Sequence, residues 1–315
     1  MFRLMIAFVF VNILSVSLGD VPLDFQVLIQ RDRTQQLRIG GVFYSSEENN
    51  ARLVAPWLQS YDCGNVTRTN DFFITIRDLN DTRATFDVTD MVQTYGETST
   101  LTGFCIGYES ALSRSIESTI YMKDAGRELL VFRPTNPREF AESGAIIYTR
   151  IIGNGQAFVR TTTSPTGANI SSLTTVVFGI NGNVVSSIAE ETFYALNQTI
   201  RAAGGRLRNR LSPRLTAPQT TDVFFDNCYE NLINVLPTIT YVLSNEPLMN
   251  SPATSRIVFY PEDYFVQTRD PNICTLLVDA ARPGYPLALT DRFLTLIGGI
   301  HFDYANRRIG FFDPI

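Results

Sequence analysis

The sequence holds one histidine, one lysine, one tryptophan and four cysteines in 315 residues, and its acids outnumber its bases 31 to 26. Each shortage excludes a class of chemistry. With His301 alone, a zinc centre has too few imidazoles, and a Ser-His-Asp triad has one possible base. With Lys123 as the single lysine, Schiff-base catalysis has almost no foothold. A formal charge of −5 and a pI near 5.1 leave no basic domain for neutralising phosphates, so no nucleic-acid partner is expected. After residue 19 no run of about eighteen apolar residues occurs, so no later segment reads as a spanning helix. The acids Asp62, Asp71, Asp78, Asp81, Asp87 and Asp90 are scattered without the spacing of an EF-hand loop. The expectation is no metal and no cofactor.

What is present points first to a compartment. Met1-Phe2-Arg3 opens with a positive charge, Leu4 to Val16 is apolar apart from Asn12, and Ser17-Leu18-Gly19 sets small residues before Asp20. That is the layout of a secretory signal peptide over residues 1–19. It predicts an extracellular protein, or one in the lumen of the secretory or endolysosomal pathway, without membrane attachment after cleavage. Export into an oxidising compartment predicts disulfides among Cys63, Cys105, Cys228 and Cys274, which show no CxxC spacing. Three pairings are open. Cys63–Cys105 with Cys228–Cys274 is favoured, each closing a loop of about forty to fifty residues and contributing on the order of 4 kcal/mol. Sequons at Asn65, Asn80, Asn169 and Asn197 predict glycosylation, although Asn197 flanks an apolar helical face.

The chain otherwise reads as strands. Apolar and β-branched runs at Phe25 to Gln30, Phe72 to Ile76, Ala145 to Tyr148, Ala157 to Arg160 and Thr174 to Phe178 are divided by Gly, Asn, Pro and Asp. Further runs follow at Thr238 to Leu243, Arg256 to Tyr260 and Arg308 to Phe312. One helix is predicted from about Ile188 to Ala202, with Ser187 and Glu190 spaced as a capping box and Gly204-Gly205 as its stop. The fold class is therefore all-β with one or two helices. Arg201, Arg206, Arg208, Arg210 and Arg214 form a basic run that reads as a solvated loop, with a patch for an acidic partner as the alternative. His301, beside Phe302, reads as a packing residue.

Three segments of the C-terminal third carry a family resemblance. Leu236-Pro237-Thr238-Ile239-Thr240-Tyr241 follows Cys228, and Pro261-Glu262-Asp263-Tyr264-Phe265 precedes Cys274. Leu289-Thr290-Asp291-Arg292-Phe293-Leu294 is followed by Phe302-Asp303-Tyr304-Ala305-Asn306-Arg307-Arg308-Ile309-Gly310-Phe311. In order and spacing these resemble the second lobe of the pepsin-like aspartic proteases. The resemblance implies a bilobal, mainly β acid-protease fold. An N-terminal lobe, shortened, would occupy residues 20–128 and a C-terminal lobe residues 129–315. The hairpin-like stretch Phe72 to Val88 resembles the family's flap, without its Tyr and with a sequon at Asn80.

The family's chemistry needs two Asp-Thr/Ser-Gly tripeptides, whose carboxylates share a proton and polarise a water. Neither is present. Gly40-Gly41-Val42 follows the strand-like Gln35 to Ile39, and Gly179-Ile180-Asn181 follows Thr175 to Phe178. No carboxylate occurs between Arg160 and Glu190, so a shifted alignment supplies none. Asp124-Ala125-Gly126 lies among polar residues that suit a turn. The resemblance thus implies a secreted pseudoprotease holding an extended peptide or protein in the interlobe cleft. The alternatives are a residual endopeptidase using displaced carboxylates and an extracellular structural or surface protein.

Overall fold

Phe25-Gln26-Val27-Leu28 sends alternate side chains to opposite faces of a strand, and that strand, Phe25–Arg31, lies within a seven-stranded sheet. The structure, a computed structural model, describes residues 21–31, 37–38, 42–45, 51–53, 72–77, 79–80, 82–87, 92–95, 98–101, 116–124, 127–153, 155–164, 173–178, 185–209, 220–248, 250–281, 284–289 and 296–312. The sheet runs in the order Ile146–Arg150, Arg308–Phe312, Gly299–Asp303, Ser118–Asp124, Arg127–Phe132, Phe25–Arg31 and Leu37–Arg38. Every neighbouring pair is antiparallel. Early, middle and late segments therefore share one sheet. The lobe seam expected between residues 128 and 129 falls inside the strand Arg127–Phe132.

The period of two sorts this sheet into two faces. Phe25, Tyr121, Leu130, Ile300, Phe302, Ile309 and Phe311 belong to the main core. Ile120, Val131, Ala141 and Phe312 form a smaller cluster on the other face, where Met122, Phe140 and Ile146 pack. The short 3-10 turn Pro137–Phe140 supplies part of that second cover. Beyond Phe312 the second face becomes polar, in the cross-strand row Tyr148, Gly310 and His301, which ends against the apolar Ile120.

The remaining strands build smaller sheets. Ser255–Phe259, Thr238–Ser244, Gln156–Ser164, Leu173–Phe178 and Leu287–Leu289 form one of five strands, whose last pairing is parallel. Ser186–Ile188 and Val278–Ala280 make a second parallel pair. Arg206–Asn209, Thr221–Phe224, Ile273–Leu276 and Phe265–Gln267 form a four-stranded sheet. Before residue 102, Phe72–Arg77 and Arg83–Asp87 form a hairpin beside Val42–Ser45. Ala51–Leu53, Thr98–Leu101 and Val92–Tyr95 form another three-stranded sheet.

The principal helix spans Glu190–Ala202 and buries Thr192, Phe193, Leu196 and Ile200 on one face. Burial of the three apolar side chains contributes about 1.5–3 kcal/mol each. Glu190 and Glu191 in its first turn and Arg201 in its last complement the helix dipole. It ends where Gly204 takes a φ of 101°, and a side chain on Gly205 would come within 2.6 Å of Ile200 Cγ2. The capping box expected of Ser187 does not form. Ala189 is the cap residue, and Ser187 lies in a strand, its buried Oγ accepting a 2.7 Å hydrogen bond from the Ala288 N–H. A tertiary partner has taken the hydroxyl that the local pattern assigned to the helix.

Candidate functional site

The two positions where the family's catalytic tripeptides would stand are Gly40-Gly41-Val42 and Gly179-Ile180-Asn181. Val42 opens the strand Val42–Ser45, while Gly40, Gly41, Gly179, Ile180 and Asn181 lie outside the described residues. The frame around the second position is well defined. Leu173–Phe178 leads into it, and Val176, Val177 and Phe178 run parallel to Leu287, Ala288 and Leu289. Val185 and Ser186–Ile188 resume after it, all buried, with the Ser186 N–H donating to Leu277 O at 3.0 Å. Phe178 packs edge-on against Phe311 of the central sheet, ring centres 5.7 Å apart. Ser187 ties the frame together through Ala288.

Chemically, this frame offers backbone amides, carbonyls and hydroxyls. Among the described residues the acidic residue nearest it in register is Asp279, opposite Ser187 in the parallel pair, and its Oδ1 accepts from the Ala280 N–H at 2.8 Å. Asp279 carries a single signal in the sequence, an acid within the apolar run Leu276 to Ala281. Among the described residues no three His, Cys, Asp or Glu side chains gather as a metal site.

The chain architecture matches that of basic 7S globulin from soybean, with a TM-score of 0.51 at 14% sequence identity. The alignment covers 93% of this chain and 97% of that one. The fold is pepsin-like. No family model matches the sequence, and neither does any curated protein.

Within this pepsin-like fold the scaffold motifs meet as partners. Cys228 and Cys274 are disulfide-bonded, with Cα atoms 6.1 Å apart. The Tyr264 hydroxyl donates to Pro237 O at 2.5 Å, so two of the three resembling segments are joined by one buried hydrogen bond. In the third, Asp303 accepts from Asn306 N and Nδ2 at 3.1 and 3.0 Å and from Arg308 Nε at 2.6 Å. Burial alone would raise the Asp303 carboxyl, but these bonds from Arg308 and Asn306 hold it below its ordinary value.

Other expected residues are distributed as follows. Cys63, Cys105, Asn65, Asn169, Arg210 and Arg214 lie outside the described residues. Asn80 is exposed at the turn of the Phe72–Asp87 hairpin. The neighbouring Leu79 N–H donates to Gln26 O at 3.0 Å, which ties the tip of the flap-like element to the central sheet. Asn197 is half-buried in the helix, and its Oδ1 is buried without a hydrogen-bond partner, a poor place for a glycan. Arg201, Arg206 and Arg208 are exposed, the last two on an edge strand. Asp124 ends one strand of a hairpin and Arg127 begins the next. His301 is 3% exposed, and Tyr148 Oη lies 2.9 Å from its Nδ1. Burial pushes the imidazole down to about 4, with the Arg308 charge adding to the effect and Asp303 opposing it.

Proposed function

We propose that this pepsin-like chain is a secreted, proteolytically inactive binding protein that holds an extended peptide or protein segment. The carrying observation is the absence of any Asp-Thr/Ser-Gly tripeptide from a sequence that keeps the scaffold motifs of the C-terminal third. Peptide hydrolysis in this family needs two carboxylates close enough to share one proton, because one must stay ionised while the other donates. The segment from Thr161 to Ala189 supplies no acid at all. Extended peptides are gripped chiefly by main-chain hydrogen bonds, which need strand edges and no acid. The Cys228–Cys274 bond supports an oxidising, exported setting, as does the signal-like start.

The test is a peptide array probed with the purified protein, paired with an acid-pH digest of a denatured protein substrate. Saturable binding without cleavage is the expected result. Turnover that pepstatin blocks overturns the reading in favour of displaced carboxylates. Absence of binding across the array, with absence of turnover, overturns it in favour of a surface role.

A further inference from the structure

The strand Ser255–Phe259 stands at one end of the five-stranded sheet, and among the described residues it pairs with Thr238–Ser244 alone. Every second residue of such an edge turns its N–H and C=O outward, where another strand can meet them. Proteins usually blunt an edge with proline, a bulge or charge. Here the prolines, Pro252 and Pro261, stand outside the strand, and its only charge is Arg256.

A cavity of about 210 Å³ lies along this edge. Residues 255–260 all line it. Because alternate side chains of a strand point to opposite faces, a cavity that touches all six follows the strand's margin and not one face. Leu296, Ile297 and Phe311 form its far wall. Its volume falls below the roughly 300–1,000 Å³ of sites that enclose a whole small molecule. It suits the side chains of a segment laid along the edge.

The two faces of the strand set what that segment carries. Ile257 and Phe259 belong to the core on the inner face, opposite Tyr241 and Ile239. A strand added beside them turns every second side chain toward that side, where a polar group would be buried without a partner. On the outer face Arg256 is exposed and has no ion pair among the described residues. Its cross-strand row runs through Val242 to Arg160, a second cation. The acid at the other end of the cavity, Asp263, accepts from the Tyr260 N–H at 2.8 Å. The charge that Arg256 offers to an added strand is therefore positive, and its complement directly opposite is an acid.

We propose that Ser255–Phe259 takes an extended peptide by strand addition, one with apolar residues at alternate positions and Asp or Glu between them. The inference rests on the reading of the chain as a binder of extended segments, and adds the edge and the pattern. Main-chain hydrogen bonds supply the grip, the cavity selects the apolar residues, and Arg256 selects the acid.

The probe is fluorescein-labelled Thr-Leu-Glu-Leu-Thr-amide, titrated against the intact protein by anisotropy. Saturable binding is expected, with Lys in place of the peptide's Glu weakening it about fivefold. Arg256→Glu, at an exposed position, reverses that preference. N-methylation gives the second arm, because only every second amide of an added strand faces the edge. Methylating both Leu amides and methylating the Glu amide are expected to differ, one abolishing binding and the other sparing it. Equal effects of the two overturn strand addition. An unchanged preference in Arg256→Glu overturns this edge while peptide binding itself stands. Absence of binding to this peptide, when others on an array bind, overturns the pattern, and absence of all peptide binding overturns the binding role with it. Dimers that form with rising concentration in sedimentation and exclude the peptide overturn the proposal in favour of a second copy on the edge.

Discussion

Removing the one buried imidazole has a consequence that can be worked through from its surroundings. His301 is almost completely enclosed, and burial pushes its protonation from 6.5 down to about 4. The unfolded chain therefore binds a proton near the ordinary value while the folded chain resists one. Below pH 6.5 the unfolded state holds more protons, so stability falls with pH through that window and levels off once the folded state also titrates, near 4. At 1.36 kcal/mol per unit, the full effect is about 3 kcal/mol. Integrating the two titrations gives a loss of about 2 kcal/mol between pH 7 and pH 5. Other acids and bases contribute to the same interval, so the informative quantity is a difference. Urea unfolding of the native protein and of His301→Gln at both pH values isolates it, since glutamine keeps a hydrogen-bonding group for Tyr148 without titrating. The native protein is expected to lose about 2 kcal/mol more than the variant on acidification. Parallel pH profiles for the two proteins would refute the argument, because they would mean that folding leaves the imidazole's proton affinity unchanged.

Three further outcomes are expected from the packing. Cys228→Ala with Cys274→Ala removes a bond across a separation of 46 residues and lowers stability by about 4 kcal/mol in denaturant titration. Tyr264→Phe leaves Pro237 O buried without its donor and costs about 1–3 kcal/mol, measured the same way. Gly310→Ala drives a methyl group into Ile146 and the Tyr148 ring, costs about 1–3 kcal/mol and displaces the His301 resonances through Tyr148.

What could be read in advance was whatever is enforced by neighbours along the chain or by a fixed chemical partner. Strands such as Phe72–Arg77, Thr238–Ser244 and Arg308–Phe312 fall where β-branched and aromatic runs are bounded by turn formers. The segments containing Pro237 and Tyr264 were recognisable because each carries half of one buried bond, which constrains both. The Asp303, Asn306 and Arg308 spacing was legible for a similar reason, since a single hairpin brings them together. Ser187 misled because its local role and its tertiary role compete, and the Ala288 amide, distant in sequence, won. The contact between Tyr148 and His301 was illegible on other grounds. Tyr148 and His301 carry no pattern linking them, and Gly310, which lets them meet, stands in the closing motif without any sign that its missing Cβ makes room for the Tyr148 ring.

The order of strands in the central sheet also bears on how the chain is made. Gly299–Asp303 and Arg308–Phe312 are delivered last, yet they sit between Ser118–Asp124 and Ile146–Arg150. During synthesis the two earlier strands therefore wait with facing edges unpaired, each a row of open amides and carbonyls able to recruit another chain. A premature stop shortly before Gly299 does not trim a tail. It separates Ile146–Arg150 from the other four strands of the sheet, and leaves a nascent chain whose safest course is a chaperone until Phe312 has emerged.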